Sequence, residues 1–472
     1  MKKGFVLSTA LAVAALAMVT GTELSAGPAK VSDSIVIGAM DWKVRGGSAP
    51  VVQGPWKKCG IVIKPDQPFE YENDHVLNFF PVKVPCEPGA PWFYFVFSRK
   101  DKTATNLVMM DRKGKHLLSR DGKGVFTMTG LPSDMVPGFP EVFKLGSNHY
   151  RMYFWAYGIG NDTKIRFMTA ESKDLYRWHV MNNAKPLFCH HADYNWGDGL
   201  PPSRICNDAT TVYRRPDGSW ELYSAAITSI TDPKSRYADK SVCPGFMRIV
   251  MRWTSPDGLQ FSNPEIIQMP DSKDSPATQF YYLTAHDVEP YAVGILGNFN
   301  IRSQRLLLEP VWSRDRRHWV RPLRNNMLFE KDYINVAAIT DMVSEPDGNV
   351  SLYYSASNTD HDGKILDGAK REENKLYKAQ VHRRRFFGRR LQQGVTLVSP
   401  EIRFTGRNPR IYVSDGASLK AEWQDSFSTS RKSVKVEVKN GVAEVKLAGA
   451  VQTTATGSLF VSGIGIVYDA EY

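Results

Sequence analysis

Carboxylates are the groups in this chain best suited to chemistry. Asp74, Glu141, Asp208, Asp287 and Asp341 each stand beside an aromatic or β-branched run, dozens of residues apart. Brought together, two such acids can cleave a glycosidic bond: one protonates the leaving oxygen, and the other attacks the sugar carbon or activates water. A third acid nearby raises the proton donor's pKa. Glu141, Asp208, Asp287 and Asp74 are therefore the catalytic candidates, each weighed against the plainer role of capping a turn, which is the reading for Asp341. Side chains suited to hold a sugar lie close by in sequence. Tyr194 and Trp196 offer apolar faces to a pyranose ring. His75, His190, His191 and Asn207 offer hydrogen bonds, and Arg204 and Arg302 offer charge to an anionic substituent. His190, His191 and Asp193 are also metal-ligand types, but adjacent residues of a strand point to opposite faces and aim poorly at one ion. No metal or other cofactor is expected.

Acids this far apart can meet only if the fold gathers them, so the elements between them matter. Almost no segment keeps a helical period. Short aromatic and β-branched runs recur instead, among them Trp92 to Phe97, Tyr150 to Tyr157, Trp220 to Ala226, Phe246 to Trp253 and Val350 to Ser355. Hairpin turns precede many of them: Pro88-Gly89-Ala90, Gly146-Ser147-Asn148, Pro216-Asp217-Gly218 and Pro346-Asp347-Gly348. A second signature, Ser-x-Asp with an aromatic six residues after the serine, occurs at Ser172/Asp174/Trp178, Ser255/Asp257/Phe261 and Ser313/Asp315/Trp319, with Ser119 to Gly122 as a degenerate copy. Serine and aspartate can bond the amides of a tight turn while the aromatic opens the next strand, so these residues read as structural. Together the signatures mark five units, near 70–127, 136–190, 205–270, 283–328 and 333–382. Repetition on that scale points to an all-β, five-bladed β-propeller spanning 27–390. Residues 395–472 carry short alternating strands that read as a small C-terminal β-sandwich bracing the propeller.

The N-terminus has a basic start, Met1-Lys2-Lys3, then an apolar run from Phe5 to Val19. Residues 1–26 thus read as a secretory signal and the protein as secreted or periplasmic. No later stretch has the roughly 18 to 20 apolar residues of a membrane span. Five cysteines in an exported chain suggest loop clamps, Cys59 with Cys86 and Cys206 with Cys189 or Cys243. Sixty Lys plus Arg against 49 Asp plus Glu gives a net charge of +11, which favours anionic partners such as sulfated or uronic-acid glycans. The run Arg383 to Arg390 looks like a nucleic-acid patch, but its place between strands makes it a solvated hairpin, and no nucleic acid is expected.

Several segments resemble the five-bladed propellers of glycoside hydrolase families 32 and 43, including proteins described as family-32-like. These are Glu141-Val142-Phe143 with Tyr150 to Trp155, the Ser-x-Asp turns, and Thr396 to Pro400 leading through Phe404-Thr405-Gly406. The resemblance implies a secreted glycoside hydrolase acting on an oligo- or polysaccharide, with an acid at Glu141. The chain departs from the pattern at two points. Asn73-Asp74-His75 stands where family 32 has an Asn-Asp-Pro-like nucleophile motif, and Asp208 stands where a glutamate acid is usual. Two other readings follow from the same residues. One is a glycan-binding propeller without catalysis. The other is a sialidase-like propeller, whose Asp-box turns resemble Ser313 to Trp319.

Overall fold

The computed structural model describes residues 36–64, 71–72, 75–76, 78–83, 86–87, 90–97, 106–110, 126–158, 164–190, 200–229, 246–324, 326–333, 335–338, 342–361 and 375–472. Among the described residues the repeats form five sheets. The first comprises Asn78–Lys83, Trp92–Phe97 and Asn106–Met110. The second runs through Met135–Gly146, His149–Gly158, Ile165–Ser172 and Arg177–Val180, and the third through Thr210–Arg214, Trp220–Ser229, Phe246–Ser255 and Glu265–Gln268. The fourth has Thr278–Asp287, Ala292–Asn300 and Arg305–Ser313. In the fifth, Asn335–Ala337 and Met342–Ser344 share the partner Asn349–Ser357, followed by Lys375–His382. Each sheet packs on the next, and the fifth returns to the first. This closed ring is a five-bladed propeller. Its last blade is completed from the other end of the chain, because Lys57–Ile63 pairs with Lys375–His382 and fastens the circle.

The turns form for the reasons their residues suggest. In the hairpins at Asp217-Gly218 and Asp347-Gly348, the glycines take φ of 88° and 82°, and the aspartates accept the N–H groups of Ser219 and Asn349. All three Ser-x-Asp turns share one construction. The serine hydroxyl accepts the N–H three residues on, from Leu175, Gly258 or Arg316, each at positive φ. The aspartate Oδ1 accepts the next two N–H groups, those of Tyr176 and Arg177, Leu259 and Gln260, or Arg317 and His318. The aromatics Trp178, Phe261 and Trp319 are buried in the apolar cores.

The C-terminal strands build a separate core. The long strand Thr456–Glu471 pairs through its first half with Thr396–Val398, Ile402–Arg403 and Ser418–Asp425, and through its second half with Phe387–Leu391 and Arg410–Val413. The change of partners falls at Gly463 and Gly465, where φ is 137° and 133°, and a Cβ at Gly463 would lie 2.0 Å from the Ser418 carbonyl oxygen. Side chains from both halves enclose Trp42, Trp423, Leu397, Leu459 and Val461. Residues before the propeller join this assembly: Val36–Ile37, Lys43–Arg45 and Val51–Gln53 each pair with a C-terminal strand.

Two expectations need correction here. The Arg383 to Arg390 run is not a solvated hairpin. Phe386 and Phe387 are buried in the propeller core, while Arg384 pairs with Glu471 and donates to the Val288 carbonyl, so the run is the seam between the C-terminal strands and the fourth blade. The cysteine clamps do not form either, since Cys59 and Cys206 are free thiols. Burial pushes the Cys206 thiol up to about 12 and keeps it unreactive; Cys243 lies outside the described residues. No helix of the described residues is long and apolar enough to cross a membrane.

Candidate functional site

The inner strands of successive blades are bonded to one another at a common depth. The Val212 N–H donates to both carboxylate oxygens of Glu141, at 3.1 and 3.0 Å. Thr211 Oγ1 donates to the Leu283 carbonyl at 2.6 Å, and Thr284 Oγ1 to the Ala338 carbonyl at 2.5 Å. This girdle aligns the strands and sorts the candidate acids by height. Asp208 lies four residues before Val212, at the face where the inner strands begin. Glu141 lies in the girdle itself. Asp287 is the last residue of its strand, three residues past Thr284, at the opposite face. The structure therefore does not gather Glu141, Asp208 and Asp287 into one pocket.

Each displaced acid has a structural task. Glu141, 5 % exposed, satisfies an inner-strand amide that no sheet neighbour reaches. Asp287 receives Arg316 at 2.6 Å and the Tyr213 hydroxyl at 3.3 Å. Its misplacement has a simple origin. The fourth blade's first strand starts at Thr278, not near 283, because the aromatic run Phe280-Tyr281-Tyr282 belongs to it. Asp74 and Asp341 lie outside the described residues.

Asp208 is the most exposed of the described candidate acids, its side chain 31 % accessible. The second blade holds it. The Tyr157 hydroxyl donates to Oδ2 at 3.1 Å, and His190 Nε2 stands 3.8 Å from Oδ1. Burial and the adjacent Asp208 charge hold the Tyr157 phenol well above its usual range, so it remains a donor. Asn207 braces the same turn: its Oδ1 accepts the Ala209 N–H at 2.9 Å and its Nδ2 lies 3.2 Å from His190 Nε2. Ser224 Oγ accepts the Asn207 N–H and donates to the Asn207 carbonyl, fixing the loop onto the third blade.

The other predicted contacts divide. Arg204 is spent on structure, since its guanidinium donates to the carbonyls of Ser262 and Phe261 and lies over the Phe188 ring, so it is not placed to meet a sugar. Arg302 is exposed in the turn after Ala292–Asn300, on the strand-start face with Asp208. His191, Tyr194 and Trp196 lie outside the described residues, and of His75 only the backbone strand is described.

Sequence reasoning passed over three residues of this face. Arg248 and Gln279 are buried side by side at the heads of their strands, with Arg248 Nη1 2.9 Å from Gln279 Oε1. Asp134 stands exposed immediately before Met135–Gly146, the inner strand of the second blade. Its place at the head of an inner strand was the available signal, hidden by the more conspicuous Pro140-Glu141.

No family model matches the sequence, and no curated protein does either. Solved structures similar to this chain include a family 32 β-fructofuranosidase from Bombyx mori, at 8 % identity over 84 % of this chain and 90 % of that one, with a TM-score of 0.37. A family 43 enzyme from Xanthomonas citri is similar at 10 % identity over 64 % and 88 % of the two chains, with a TM-score of 0.38. An N-acetylgalactosamine deacetylase from F. plautii, solved with blood group B trisaccharide, is similar at 12 % identity over 71 % and 95 %, with a TM-score of 0.38.

Proposed function

We propose that this protein is an exported glycoside hydrolase that binds an oligo- or polysaccharide at the strand-start face of the propeller, with Asp208 as a working carboxylate. The observation that carries this reading is the setting of Asp208. Its side chain is 31 % exposed at that face, its Oδ2 accepts the Tyr157 hydroxyl, and His190 Nε2 lies 3.8 Å from its Oδ1. Hydrolysis needs a second acid across the sugar. Asp134 is the described candidate, because it heads the neighbouring blade's inner strand. The net charge of +11 and exposed Arg302 on the same face favour an anionic glycan, one carrying sulfate or uronic acid groups.

A second reading draws on a specific observation. Glu141 and Asp287 are bound by Val212 and Arg316, so two of the predicted acids are withdrawn from catalysis. A propeller that binds a glycan without cleaving it retains the same face. Asp208→Asn separates the two. In a hydrolase it lowers turnover of a panel of aryl glycosides and polysaccharides by a hundredfold or more while sugar affinity changes little. Cleavage by the variant at the unchanged rate would remove Asp208 from the mechanism. Glycan binding by a wild-type protein that cleaves nothing would establish the second reading.

A further inference from the structure

The seam between the C-terminal strands and the fourth blade closes over a buried acid. Asp469, 2 % exposed, lies on Thr456–Glu471, and three neighbouring segments bond to it. From the N-terminal segment, the Ala39 N–H donates to Oδ1 at 3.1 Å. From the fourth blade, the Tyr291 hydroxyl donates to Oδ2. From the linker after the fifth blade, the Arg384 carbonyl accepts the Asp469 N–H at 3.2 Å.

The surrounding charges are committed elsewhere. The Arg384 guanidinium bonds Glu471 at 2.7 Å and the carbonyls of Val288 and Glu289. Glu471 also accepts the Tyr412 hydroxyl at 3.0 Å. His382 stacks on Tyr412 with ring centroids 5.0 Å apart, and its Nδ1 accepts the Arg384 N–H. Asp41 accepts the Gly38 N–H at 2.8 Å and pairs with Arg314. Among the described residues Asp469 thus has no cation paired to its oxygens, and a like charge, Asp41, lies on the adjoining turn.

We propose that Asp469 is a protonation-dependent clasp: the C-terminal strands grip the fourth blade more tightly in acid, and the seam loosens as the medium turns alkaline. The geometry supplies the reason, since a carboxyl shut between two packed surfaces with no dedicated cation is costly to ionise, and its two donors offset only part of that cost. Burial pushes its carboxyl up to about 7, against the pull of Tyr291, Arg384 and Ala39. In the unfolded chain the group titrates near the ordinary aspartate value. The folded state therefore holds a proton that the opened state releases, and stability is lost as pH rises from about 4 through about 7. The clasp lies at the strand-end face beside Val288, away from Asp208, so it stands or falls independently of the proposed activity.

The test compares the full-length protein with Asp469→Asn by hydrogen exchange and thermal unfolding between pH 5 and 8.5. After correction for intrinsic exchange, opening at residues 36–41 and 456–471 of the wild type is expected to rise by up to about tenfold per pH unit from pH 5 towards about 7 and to level off above it. The Asn variant is expected to lose that dependence and to match or exceed wild-type protection at pH 8.5. Tyr291→Phe removes a donor to the anion and is expected to move the midpoint to higher pH, which keeps the idea testable should the Asn variant fold poorly. An unchanged pH profile in the folded variant, or wild-type protection that increases with pH, would overturn the proposal.

Discussion

Tyr157 illustrates how much of the candidate site is set by buried residues. Its ring is buried and its hydroxyl donates to Asp208 from the neighbouring blade. Hydrogen bonds to charged groups contribute about 1.5 to 3 kcal/mol. Tyr157→Phe should therefore lower kcat roughly 10- to 100-fold with a smaller effect on KM, measured on whichever glycoside the wild type cleaves. At this scale the sequence was only partly legible. Asp208 could be picked out because it heads an apolar run after a turn. Tyr157 could not, because one strand tyrosine looks like another until the blades are assembled. Arg204 showed its chemical type but not its commitment to the Ser262 and Phe261 carbonyls, a matter of tertiary packing.

Blades were far more readable, because the signals that define them are local. A Ser-x-Asp turn needs only a hydroxyl, a carboxylate and a left-handed residue within four positions, and all three copies close as their sequence implies. Burial opposes it, but the Arg177 and Tyr176 amides bring the Asp174 carboxyl down to about 2. The stability this aspartate contributes is present above about pH 4 and is lost as pH falls through about 2. Asp174→Asn should flatten the acid limb of thermal stability over that range, followed by circular dichroism. Asp315→Ala, which removes the one oxygen that accepts two amides at the third copy, should cost about 1 to 2 kcal/mol of stability in denaturant titration. The relative height of strands in different blades was not legible. It depends on the girdle through Thr211, Leu283, Thr284 and Ala338, which join residues more than fifty positions apart.

Across the whole molecule, closure depends on seams between blades as much as on the sheets themselves. The seam of the third and fourth blades contains a buried charge network: Glu221 accepts Arg252 and Arg316, and Arg316 continues to Asp287 while lying 4.1 Å from the centroid of the Tyr213 ring. Although burial opposes it, Arg316 and Arg252 hold the Glu221 carboxyl below its usual range. Glu221→Gln leaves Arg316 with Asp287 and Arg252 with Glu265 but removes the charged acceptor between them, so it should destabilise the protein by about 1.5 to 3 kcal/mol in denaturant titration. The central claim, that carbohydrate is handled at the strand-start face around Asp208, is tested most directly by a crystal structure of the protein soaked with an oligosaccharide it recognises. The account predicts a sugar hydroxyl or glycosidic oxygen within hydrogen-bonding distance of the Asp208 carboxylate, with Arg302 on the same side. Sugar bound instead at the opposite face beside Asp287, or on the C-terminal strands alone, would contradict it.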